Sequence, residues 1–214
     1  MSQIVLTEYY PLVLTPQQLT EAMDVSAGAS MIIKKVLLQK ADTKNRNGRI
    51  YPKSILERVL NEYNNTFVKT RRALGELDHP MPVPGQESAG MTVNLKNASH
   101  LITELWWEGD DVYGNIEILA EGEFPSGRIA GGLLRKKIPI GVSSRALGST
   151  TDTQDAIIVN DDLVFSCFDI VSYESTIGST LNLNEAYNIA NKKYEEIDSI
   201  IYDIICHNSH NTLK

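Results

Sequence analysis

The chain has 214 residues, 42% hydrophobic and 22% charged, enough for one domain of about 150 to 200 residues with a sizeable core and short appendages, which excludes a disordered tail protein. Twenty Lys and Arg stand against 27 Asp and Glu, a formal net charge of -7. The basic footprint of a duplex nucleic-acid binder is therefore absent from the chain as a whole, and the expected partners are proteins.

The first 25 residues lack the basic start and uninterrupted apolar centre of a secretory signal, and no run approaches the roughly 20 apolar residues that span a bilayer. No membrane anchor is expected. With only Cys167 and Cys206 there is no disulfide framework, which fits a reducing compartment.

Residues 1–30, with Pro11, Pro16 and Gly28 and no sustained period, read as an N-terminal arm holding at most one short helix near TPQQLTEAMD. MIIKKVLLQKAD, residues 31–42, predicts a strand, and the following NRNGR supplies Asn and Gly for a turn. Pro52 suits a first helical turn. Ile55, Leu56, Val59, Leu60 and Tyr63 then recur at helical spacing, which predicts a helix over 53–64 with one buried face.

ALGELDHPMPVPGQESAG, residues 73–90, is dense in Pro and Gly. VNLKNASHLITELWWEGDDVYGNIEIL predicts antiparallel strands about the turn Glu108-Gly109-Asp110-Asp111. PSGRIAGGLLRKK, 125–137, predicts a short helix capped by Ser126 with a basic end that complements its dipole. IPIGVSSRAL resumes an extended, half-buried pattern, and DAIIVNDDLVFSCFDIVSY predicts two strands about Asn160-Asp161-Asp162.

From 184 to 206, Tyr187, Ala190, Tyr194, Ile197, Ile201, Ile204 and Ile205 share one stripe of an amphipathic helix. Such a stripe packs either on its own domain or on another chain, and self-association is expected of an exposed one.

Three places concentrate catalytic side chains. In Gly75-Glu76-Leu77-Asp78-His79-Pro80, a Pro-flanked loop can hold the His79 ring so that one nitrogen takes a proton while a partner fixes the other. In Gly141-Val142-Ser143-Ser144-Arg145, two hydroxyls follow a glycine at an apolar strand and precede a cation. Asp169 interrupts the apolar strand FDIVS, and a buried carboxylate there requires a partner such as a histidine N–H or an arginine. Each has a bland counterpart: a solvated loop histidine, serines bonding only backbone, an aspartate on the solvent face. Cys167, within LVFSCFDIV, reads as a buried inert thiol rather than a nucleophile.

The four blocks NRNGRIYPKSILERVL, ALGELDHP, LWWEGDDVYGNIEIL and IPIGVSSRALGS, in this order and spacing, resemble the prohead core proteases of T-even-like tailed phages over about residues 31–175. That resemblance implies a serine peptidase of capsid maturation, related in fold to the herpesvirus assembly protease. It implies His79 as general base and Ser143 as nucleophile, with Ser144 the competing hydroxyl, and Asp169 as third member, with Glu76 and Asp78 as rivals. Glu174-Ser175 stands where the family's usual Pro-Ser follows the late strand. Backbone N–H groups of Ser144 and Arg145 are the expected oxyanion donors, and Arg145 is alternatively an anchor for a substrate acid or a core carboxylate. No metal and no cofactor are expected; Cys206, His207 and His210 near the terminus do not make a metal site.

The same resemblance implies cleavage after Glu in apolar-X-Glu sequences of scaffold and capsid proteins, inside the prohead core in the host cytoplasm. Leu6-Thr7-Glu8 and Leu183-Asn184-Glu185 flank the predicted core and read as self-cleavage points after Glu8 and Glu185; similar triplets ending in Glu57, Glu62 and Glu104 fall within predicted folded elements. The expected organisation is an arm over 1–30, a peptidase domain over 31–180 and a helical tail over 181–214. The expected fold is α+β, a mainly antiparallel, barrel-like sheet with flanking helices. The competing functions are a noncatalytic scaffold or capsid-assembly protein with this fold, and a cysteine hydrolase using Cys167.

Overall fold

The computed structural model describes residues 3–12, 14–23, 31–81 and 90–172. Its first strand, β1 (Ile4–Pro11), alternates so that Leu6, Glu8 and Tyr10 turn inward. Residues 4–11 are thus not part of a loose arm, because every one of them pairs antiparallel with a later strand, β7 (Ile140–Gly148). The short helix expected nearby is α1 (Pro16–Met23).

Strand β2 (Met31–Lys40) buries Met31 and Ile33, then Val36 and Leu38. The change of phase is absorbed by a bulge between Ile33 and Val36, where Lys35 adopts φ 51. The NRNGR segment turns at Gly48, φ 75, and delivers β3 (Arg49–Ile50). Asn47 Nδ2, Arg49 Nη1 and the Tyr51 hydroxyl each reach the Glu8 carboxylate at 2.8 Å, anchoring β1. Burial raises the Glu8 carboxyl's pKa, and these three partners offset only part of that rise.

Helix α2 (Lys53–Tyr63) begins after Pro52, which stands outside the helix at ψ 133, and buries Leu56, Val59, Leu60 and Tyr63. A π-turn over Asn64–Val68 then leads into the short strand β4 (Leu74–Glu76). The meander is β5 (Ala98–Glu108) and β6 (Asp111–Ile118), joined through Gly109 at φ 63. In α3 (Pro125–Arg135), Pro125 occupies the first turn and Phe124, not Ser126, is the cap residue. After β7 come β8 (Thr150–Asp152), β9 (Ile157–Val159) and β10 (Val164–Ser172).

These strands form three ladders, ordered β1-β7-β10, β2-β6-β5-β4 and β3-β9-β8, all antiparallel except β3 with β9. The expected barrel does not close: among the described residues β1 and β2 share no ladder, and one parallel bridge, Leu77 with Ile170, links the three- and four-stranded sheets. β7 is buried on both faces rather than half-buried, since it is central and covered on each side. Behind β10, Tyr63 of α2 packs edge-on against Phe165 and Phe168, with centroids 4.9 and 6.0 Å away. This aromatic wedge fixes one face of β10 and leaves the other for the polar residue that follows Phe168.

The helix expected over 184–206, Glu174-Ser175, Glu185, Cys206, His207 and His210 lie outside the described residues.

Candidate active site

Two strands supply the frame. Ser143 on β7 and Asp169 on β10 are direct cross-strand partners, so both side chains rise from the same face of the sheet. The third group arrives by a turn: Asp78 N–H donates to Ile170 O at 2.7 Å, Ser172 N–H to Asp78 Oδ1 at 3.3 Å, and Asp78 takes φ 63, a left-handed value that aspartate tolerates. That turn carries His79 over the row.

His79 Nδ1 lies 2.7 Å from Asp169 Oδ2, and Nε2 lies 2.7 Å from Ser143 Oγ. An ionised carboxylate only accepts, so the proton sits on Nδ1 and Nε2 is left to accept from the serine hydroxyl. The chain of three runs from buried to accessible, since Asp169 is 0% and Ser143 2% exposed while the His79 side chain is 25% exposed.

Residues 5–173 match the sequence family described as prohead core protein serine protease. The chain belongs to that family. Among its relatives is the prohead core protein protease of Enterobacteria phage T4, 37% identical over 142 residues, a match that takes in 66% of this chain and 62% of the relative's length. A solved structure of the bacteriophage T4 capsid assembly protease superposes with a TM-score of 0.66 at 30% identity, covering 81% of this chain and all of the other.

In this member of the prohead core protease family, Asp169 is heavily supported from within. Its Oδ1 accepts from Glu76 N–H at 2.9 Å and from an Arg145 Nη2 at 3.2 Å. Arg145 Nε is 2.9 Å from Asp169 Oδ2, near enough for charge attraction though not aligned as a hydrogen bond. Burial pushes the carboxyl up, but the His79 hydrogen bond, the Arg145 charge and the Glu76 N–H outweigh it and hold Asp169 below the usual aspartate value.

Several expected roles shift. Arg145 is 1% exposed and bonds Glu76 Oε1 at 2.9 Å, the Cys167 sulfur at 3.0 Å and the Gly90 carbonyl, so it meets core carboxylates and not a substrate acid. Ser144, 2% exposed, points to the opposite face, where its hydroxyl donates to Gln39 Oε1 at 3.3 Å; it is no competing nucleophile at His79.

The oxyanion donors expected at Ser144 and Arg145 are taken. Leu12 N–H bonds Ile140 O, which places Glu8 and Ser144 in the mutually bonded class of that ladder. Asp78 N–H on Ile170 O places Arg145 and Cys167 in the bonded class of the other.

Of the rivals for third place, Asp78 turns to the Ser172 N–H and Glu76 to Arg145, Asn94 N–H and Asn97 Nδ2. The Cys167 thiol is 1% exposed and pushed up to about 12 by burial and by the Asp169 charge, so it is no thiolate at neutral pH. Glu8 is 2% exposed in mid-ladder, and a protease reaches the bond after it only if β1 leaves the sheet. Sequence reasoning missed Glu76 as a buried partner of Arg145; its sole signal was its place three residues before His79.

Proposed function

We propose that this chain is a serine endopeptidase of phage prohead maturation, cleaving scaffold and capsid proteins after Glu in apolar-X-Glu sequences, within the prohead core in the host cytoplasm. The observation that carries the reading is His79 standing 2.7 Å from both Ser143 Oγ and Asp169 Oδ2. Ser143 attacks the peptide carbonyl as Nε2 takes its proton; Asp169 holds the ring and offsets the imidazolium charge. The same Nε2–H then passes the proton to the leaving amine, and water, activated by His79, releases the acyl group from Ser143.

Membership of the family and the likeness to the T4 protease support the substrate class. A common fold with the herpesvirus assembly protease belongs to the same proposal and rests on a serine set on a central antiparallel strand with a histidine brought to it by a turn. Self-processing is carried at Glu185 alone.

The test is coexpression of the cognate scaffold and capsid proteins with wild type, Ser143→Ala, Ser144→Ala or His79→Ala, with product ends read by mass spectrometry. Fragments ending in Glu are expected from wild type and Ser144→Ala only. Intact partners in all four, inside assembled particles, would replace the reading by a noncatalytic scaffold protein. An unchanged intact mass of the enzyme in those particles would remove self-processing.

A further inference from the structure

We propose that Glu76 and Arg145 form a positioning pair for the Ser143–His79–Asp169 chain: Arg145 holds Asp169 from the interior, and Glu76 takes up the cation's charge so that Asp169 remains a full anion toward His79. The inference rests on the serine-peptidase reading. Its motive is a charge count. Two carboxylates, each 0% exposed, share one guanidinium that is 1% exposed. An arginine facing Asp169 alone would neutralise it just where an imidazolium must be offset.

Glu76 changes that balance. Arg145 Nη2 donates to Glu76 Oε1 at 2.9 Å and to Asp169 Oδ1 at 3.2 Å, while Nε stands 2.9 Å from Asp169 Oδ2 without hydrogen-bond alignment, so the two carboxylates share the cation. Asn94 N–H and Asn97 Nδ2 add two further donors to Glu76 at 3.1 and 3.2 Å. The cluster therefore carries one net negative charge while His79 is neutral and none once His79 accepts the serine proton. A buried cluster that becomes neutral in that step favours it, since uncompensated charge in a water-excluded site is costly.

Geometry couples the pair to the reacting row as well as charge does. The Glu76 N–H donates to Asp169 Oδ1 at 2.9 Å, and three residues on, the same segment presents His79. Other titratable groups facing the cluster are neutral near pH 7. Cys167 of β10 is pushed to about 12 by burial, His100 of β5 down to about 4 by burial, and the Tyr63 hydroxyl of α2 lies well above its ordinary value because it is buried. The Asp78 carboxylate is turned to the Ser172 N–H.

The experiment uses the full-length protein and a fluorophosphonate probe, which needs no knowledge of the natural substrate. Ser143 Oγ bonds to phosphorus, fluoride leaves, and the serine proton passes to His79. The rate constant is measured from pH 5 to 9 by intact mass. Glu76→Gln is expected to move the acid limb of the profile about one pH unit downward and to lower the plateau about tenfold, because removing a negative neighbour disfavours imidazolium and weakens the base.

Arg145→Met should move the limb upward, and the Glu76→Gln/Arg145→Met double variant, which restores one net negative charge, should return it toward wild type. A merely structural pair would slow labelling in every variant without these opposite displacements. Should Arg145→Met not fold, the near-isosteric Glu76→Gln and the double variant decide. Displacements in the same direction, or none in folded Glu76→Gln, overturn the pairing. Absence of Ser143 labelling in wild type would instead overturn the serine-peptidase reading on which it stands.

Discussion

Ser143 and Asp169 face each other across one rung of the β7–β10 ladder, although they stand 26 positions apart in the chain. Their alignment is therefore set by strand register. A slip of one residue would turn one of them to the opposite face, where Ser144 and Phe168 now sit. His79, at 2.7 Å from each, bridges a pair that the sheet has already aligned.

Asp169→Asn tests what the aspartate does to the ring. An amide N–H toward Nδ1 would force the proton onto Nε2, removing the acceptor for Ser143. Labelling of Ser143 is expected to fall by about three to four orders of magnitude. The variant should also be less stable in urea, since Arg145 and the Glu76 N–H lose a charged partner. A fall of less than tenfold would remove Asp169 from the chain.

Two glycines crowd the site for different reasons. A Cβ on Gly141 would overlap the Tyr9 ring, whereas one on Gly75 would overlap the Phe168 carbonyl of the backbone and the His100 ring. Gly141→Ala should cost about 2 kcal/mol in urea unfolding, and adding Tyr9→Ala should give a loss smaller than the sum of the single changes. Gly75→Ala should cost more and gain no such relief from His100→Ala, because the carbonyl stays. Equal rescue at both sites would contradict this packing.

His100 is 0% exposed, with Nδ1 2.9 Å from Ser99 Oγ, and burial lowers its pKa from 6.5 to about 4. Unfolded chains bind a proton here between those values and the folded protein does not, so stability falls as pH drops from about 6.5 toward 4. The full loss is on the order of 3 to 4 kcal/mol, since each tenfold change in proton affinity is worth about 1.4 kcal/mol. His100→Asn should flatten unfolding free energy over that window, and an unchanged slope would show His100 charged in the folded state.

Cys167 should resist alkylation. With its thiol pushed up to about 12 and 1% exposed, iodoacetamide at pH 8 is expected to leave the folded protein unmodified at this position and to leave Ser143 labelling intact. Modification of Cys167 accompanied by loss of activity, with Ser143→Ala fully active, would favour the cysteine hydrolase.

Much of the fold is legible in the sequence. The period of Leu56, Val59, Leu60 and Tyr63 gave α2 within a residue of its end, and the turn residues 108–111 located the β5–β6 hairpin. These are local signals, since a helical stripe or a turn is written within a dozen residues. β1 was missed because its alternation includes Glu8, a charge at a core position whose partners, Asn47, Arg49 and Tyr51, lie about forty residues on.

By itself the sequence determined the chemistry on offer: a histidine in a Pro-flanked loop, a serine after Gly-Val, an aspartate in an apolar strand, and motif blocks in an order that resembles one peptidase family. Tertiary structure decided which of the neighbouring groups faces which. Ser143 and Ser144 are chemically identical and adjacent, and only the two-residue period of β7, pinned by β1 and β10, sends one toward His79 and the other toward Gln39. Likewise Glu76, Asp78 and Asp169 are all carboxylates near a histidine in some sense. It is the left-handed turn at Asp78 and the burial of Arg145 between Glu76 and Asp169 that give each a different partner, because side-chain direction and charge pairing are fixed by contacts distant in the chain.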